Sequence, residues 1–150
     1  MSILFKGRQM NNEIAKIKYH ISILAQSVKF ISIDGLAVEL NLSKQEFGKL
    51  FKICDKFERQ IDDKKPFNYY EFESVLKDKF GIDYQGIKTL IRNFIEYNHF
   101  THLAYVYQLS VPNPMSWVIE KYKSFEKGKE WEQEFKKFID EVIQNSKTKL

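Results

Sequence analysis

The chain has 150 residues, with a hydrophobic share of 43% and a charged share of 29%, enough apolar matter for a single core without disulfide or metal staples. Its 24 Lys and Arg against 20 Asp and Glu leave a net charge of +4, which admits an acidic partner but falls short of the signature of a dedicated nucleic-acid binder. Cys54 is the one cysteine, so an intramolecular disulfide is excluded, and the opening MSILFKGRQ has no apolar run of signal-peptide length; a cytoplasmic protein is expected. The uncharged stretch 103–119 is interrupted by Gln108, Ser110, Pro112, Asn113 and Pro114, so no membrane span of roughly 20 apolar residues is expected either.

The first regular pattern is Met10, Ile14, Ile17, Ile21, Leu24, Val28 and Ile31, whose spacing alternates four and three. This is a helix with a heptad seam. Ile14, Ile21 and Val28 take position a, and Ile17, Leu24 and Ile31 take position d, a stripe that can pair with another subunit or pack within a bundle. Tyr19 and Ile23 lie off the stripe, so the helix is apolar on more than one side and self-association is expected, through Ile14, Ile17, Ile21, Leu24 and Val28.

The pattern breaks at residues 32–35. A short apolar helix over 36–40 then leads through Asn41 and Leu42 to Ser43 and Glu46, which stand in the S-x-x-E order of a capping box. The helix that starts there buries Phe47, Leu50, Phe51, Cys54, Phe57 and Ile61 and runs to about Asp62. Opposite lies a basic stripe of Lys49, Lys52, Lys56 and Arg59; Asp55, Glu58 and Asp62 flank it, which favours a solvated face.

Residues 64–68 read as a loop around Pro66. The next helix, 69–80, carries Phe72, Val75, Leu76 and Phe80 and stops at Gly81, suited to a left-handed cap. Asp83 caps a helix through Ile87, Leu90, Ile91, Phe94 and Ile95. Thr101 offers an N-cap for one carrying Leu103, Val106 and Tyr107. Pro112 and Pro114 mark the best internal boundary. Beyond them two helices, with Met115, Val118, Ile119, Tyr122 and Phe125 on one and Trp131, Phe135, Phe138, Ile139 and Val142 on the other, are parted by Gly128. The expectation is one all-α domain over 1–150: a bundle of about six to seven helices, with a core over 11–110 and a C-terminal helical hairpin over 115–150.

Candidate chemistry is sparse. Glu96, His99 and His102 are spaced by three and would share one side of a continuous helix as metal ligands, but a turn is predicted between them. Cys54 lies between Phe51 and Phe57, the setting of an inert core thiol. No phosphate loop, dinucleotide fingerprint or nucleophile elbow occurs, so neither enzymatic activity nor a cofactor or metal is expected. Residues 36–50 resemble a helix-turn-helix, with Ala37, Asn41, Leu42, Phe47 and Leu50 in the packing and turn roles. In that reading Lys44, Gln45 and Lys49 would meet bases and phosphates, with Lys52 and Lys56 further along the helix.

Taken together, LSKQEFGKLFKICDKFERQ, the loop ending in Pro66 and Phe67, and NFIEYNHFTHLAYVY resemble the small YhaI-like proteins of Bacillus and its relatives, over residues 11–107. The resemblance implies a compact multihelical fold assembled as an oligomer and supplies no catalytic or binding residues. The sequence departs from that pattern before residue 10 and after Tyr107. The expected function is therefore a non-enzymatic, oligomerising helical protein that binds a protein partner the sequence does not name; the alternative is a DNA-binding regulator.

Overall fold

The computed structural model describes residues 3–27 and 35–148. They form eight α-helices and no strand, an all-α bundle: α1 (Ile3–Ser27), α2 (Gly35–Glu39), α3 (Lys44–Asp62), α4 (Tyr69–Phe80), α5 (Tyr84–Glu96), α6 (Thr101–Ser110), α7 (Ser116–Ser124) and α8 (Glu130–Thr148), with a 3-10 turn, Phe125–Lys127, between the last two. The first helix begins two turns ahead of the heptad pattern, because nothing in residues 3–9 breaks it; Val28 and Ile31 lie outside the described residues.

Local chemistry sets most of the boundaries. Ser43 Oγ accepts from the Glu46 N–H at 3.1 Å while the Glu46 carboxylate accepts from the Ser43 N–H at 3.0 Å, closing the capping box of α3. The Ser43 bonds also hold the Glu46 carboxyl below its ordinary value. Asn68 Oδ1 accepts from the N–H groups of Tyr70 and Glu71 at the head of α4. Gly81, at φ 65°, ends that helix in the left-handed conformation a side chain would resist. Asp83 Oδ1 accepts from the Gly86 N–H at 2.8 Å at the start of α5.

The centre of the bundle is α6. Every residue from Leu103 to Gln108 is buried, so this short helix is covered on all sides, and α3, α5, α7 and α8 lie against it. Its N-cap is not Thr101, which is the first helical residue, but Phe100, held at φ 45° with no side-chain cap of its own. The missing acceptor comes from α3: Glu58 Oε1 and Oε2 accept from the N–H groups of His102 at 3.2 Å and Leu103 at 2.7 Å. At the far end Gln108, buried, accepts the Met115 N–H at 2.8 Å and so ties the Pro112–Pro114 loop to the helix it follows.

The C-terminal pair docks on this centre. Phe135 and Phe138 of α8 face the His102 ring, and Tyr105 packs among Tyr122, Phe125 and Phe135. Ser146 Oγ accepts from the Phe67 N–H at 2.8 Å, and Lys64 pairs with Glu141 at 3.0 Å. Burial pushes the Tyr105 hydroxyl up to about 12; Tyr107 and Tyr122 are raised as well, by burial first and by the carboxylates of Glu73 and Asp140 that accept their hydroxyl protons.

Cys54 is fully buried on α3, and burial, reinforced by the Glu58 carboxylate, pushes its thiol far above the ordinary range. A bulky thiol reagent should therefore label the protein at the rate of unfolding rather than at the rate of a free thiol. Cys54→Ala should cost about 1 kcal/mol, the worth of the lost sulfur packing, measurable by urea denaturation.

Candidate interaction surfaces

α1 contrasts with the rest of the chain. Among the residues of this helix whose side chains are described, 10–21, 23 and 24, every one is exposed. The seam is included: Ile14 is 48% exposed, Ile17 55% and Leu24 61%, with Met10 and Ile21 similarly open. These five stand at a and d positions along a rod of 25 residues, about 37 Å at 1.5 Å per residue. Tyr19 and Ile23 add exposed apolar surface off the seam. α2 lies against α1, and its Gly35 and Leu36 are buried. An apolar stripe of this length in water is unusual for a monomer.

A left-handed residue turns the chain between α2 and α3. Asn41 adopts φ 54°, and the N–H groups of Asn41 and Leu42 return to the carbonyls of Val38 and Ala37 at 3.2 and 2.9 Å. Leu50 is buried and Phe47 packs on the core, which turns Lys44, Gln45, Lys49, Lys52 and Lys56 outward, all exposed. Arg59 is drawn to Asp55 at 2.9 Å.

Glu58 does not belong to the solvated flank of that stripe. It lies inward with a side chain 15% exposed, and desolvation raises its carboxyl above the ordinary glutamate value despite the two N–H groups it accepts. Beside it His102 Nδ1 meets Asp62 Oδ1 at 2.6 Å. Glu58, Asp62 and His102 bring three potential metal-ligand atoms within 4.8 Å of one another. The three side chains also link α3 to α6: both Glu58 oxygens cap backbone N–H groups of α6, and Asp62 reaches the His102 ring. The Glu96, His99 and His102 set does not form. α5 ends at Glu96, the His99 N–H returns to the Phe94 carbonyl at 2.8 Å with its ring among Phe51, Phe94 and Phe100, and His102 opens another helix.

Two shallow cavities, of about 320 and 250 Å³, flank the C-terminal helices. Phe67, Tyr69, Leu109 and Ile143 line the first, where the Ser146 hydroxyl is already bonded to backbone; Tyr105, Phe125, Trp131 and Phe135 line the second. Both are near the lower limit for ligand sites. Among the described residues, no helix is long and apolar enough to cross a membrane. The chain matches no protein-family model, no curated protein and no solved structure.

The role of Glu58 yields a test. Because burial raises its folded value above the unfolded one, the native state holds this proton more tightly than the unfolded chain does. Its contribution to stability therefore falls as pH rises from the unfolded value through the raised one. Glu58→Gln, which keeps an acceptor but no charge, should flatten that part of the profile in thermal melts taken upward from the ordinary glutamate value. Glu58→Ala should cost about 1–2 kcal/mol more than Glu58→Gln, since it uncaps α6 altogether.

Proposed function

We propose that this is a non-enzymatic protein that self-associates through α1 and thereby presents its helical body to a protein partner. The observation that carries the reading is the exposed a/d seam of Met10, Ile14, Ile17, Ile21 and Leu24 beside a body whose other large apolar residues are mostly enclosed. Fully burying such a side chain stabilises by about 1.5–3 kcal/mol, so covering the exposed half of each is worth about 1 kcal/mol per residue in each copy. Summed over two helices, that is comparable with the roughly 4–15 kcal/mol lost on association, which places pairing in a concentration-dependent regime. The absence of an enzymatic role is supported by what the titratable groups at the centre are committed to: Glu58, Asp62 and His102 hold helices together.

Sedimentation should find the wild-type protein above monomer mass at micromolar concentration. Ile17→Asp with Leu24→Asp should give a monomer with unchanged near-ultraviolet dichroism, because those side chains are exposed rather than part of the core. A wild-type monomer overturns the proposal.

The turn at Asn41 and the outward row of Lys44, Gln45, Lys49, Lys52 and Lys56 favour a second reading, a DNA-binding regulator using residues 36–50. Binding of that kind weakens as salt rises. If it operates, duplex DNA should bind at low salt and Lys44→Glu with Lys49→Glu should abolish the interaction; no binding at low salt excludes it.

A further inference from the structure

Resting on self-association through α1, we infer that the occupant of the seam is the α1 helix of a second copy, running parallel and in register. The charges that border the seam set this orientation. With Ile14 and Ile21 at a and Ile17 and Leu24 at d, Glu13 falls at position g and Lys18 at position e, and both lie on an exposed helix. In a parallel, in-register pair, a g residue of one helix faces the e residue five places further along its neighbour. Glu13 and Lys18 are five apart. Each copy therefore offers Glu13 to Lys18 of the other, and the twofold arrangement makes both pairs at once.

The antiparallel alternatives are poorer on the same residues. In that orientation a layers meet d layers, and e faces e. The register that sets Ile14 against Leu24 and Ile17 against Ile21 uses the whole described seam from Ile14 onward, and it brings Lys18 against Lys18 of the other copy. Of the two registers one heptad away, which avoid that repulsion, one places Leu24 opposite Gly7, which has no side chain to cover it, and the other pairs within the described seam only Ile21 with Leu24. Among the described residues Glu13 has a loose ion-pair neighbour, Lys16 at 3.7 Å, with both side chains mostly exposed, so its carboxylate is open to a cross-helix partner. Parallel pairing also keeps like residues in the same layer, isoleucine on isoleucine at 14, 17 and 21 and leucine on leucine at 24.

Cysteine cross-linking with charge exchange tests the orientation. Met10→Cys, made in Cys54→Ala protein, should form an intermolecular disulfide under mild oxidation, since a d residue meets its own equivalent in the parallel pair alone. Glu13→Lys should weaken association about tenfold at low salt, and adding Lys18→Glu should restore it to within about threefold by rebuilding the pair reversed. Protein that associates, fails to cross-link at Met10→Cys and cross-links when Ile14→Cys is mixed with Leu24→Cys is antiparallel; that result overturns this inference and leaves self-association standing. A wild-type monomer, including one that binds anionic lipid vesicles through α1 instead, overturns both.

Discussion

The fold depends on the burial of α6. A ten-residue helix covered on every side must have all its polar backbone groups satisfied without water, and its first turn is where that is hardest. Phe100 cannot cap it, because its side chain carries no acceptor and is packed among Phe51, Phe94 and His99. Glu58 meets the need from α3. Its carboxylate reaches two N–H groups across the helix interface, at the cost of desolvation that leaves it easier to protonate. The position of α3 against α6 is thus set by hydrogen bonds as well as by the apolar packing of Leu50, Cys54, Phe57 and Ile61.

Other elements arrange themselves around that centre. His102, beside the cap, is held by Asp62 on one side and by Phe135 and Phe138 on the other, so the same turn of α6 that α3 caps is also where α8 lands. Gln108 fastens the opposite end to the start of α7, and Tyr107 reaches Glu73 on α4. Each polar side chain drawn inward has a partner: among the described residues no buried side-chain nitrogen or oxygen lacks one.

On the surface the asymmetry between α1 and the body matters most. The body encloses its large apolar residues with few exceptions, such as Tyr70 and Trp131, while α1 leaves a whole stripe open. Both are helices with regular apolar spacing, and the difference lies in what is left for each to pack on. The elements from α2 to α8 pack on one another around α6, whereas α1 lies against α2 and keeps its seam open.

Much of this was legible in the residues themselves. The capping box at Ser43 and Glu46, the cap at Asp83 and the stop at Gly81 are local devices whose effect is decided within four residues, so α3, α4 and α5 could be placed from spacing alone. The a/d periodicity of α1 and the burial of Cys54 follow from helical geometry in the same way. The cap of α6 was not legible: Thr101 is a good capping residue by type, and the true acceptor stands 44 positions earlier in the chain. Glu58 read as one more acid beside a basic stripe, because spacing fixes which way a side chain points around its own helix but not which other helix crosses there. For the same reason periodicity showed that α1 has a seam and left open whether the chain would cover it. Only the tertiary arrangement, with α6 already enclosed by its neighbours, left that seam exposed.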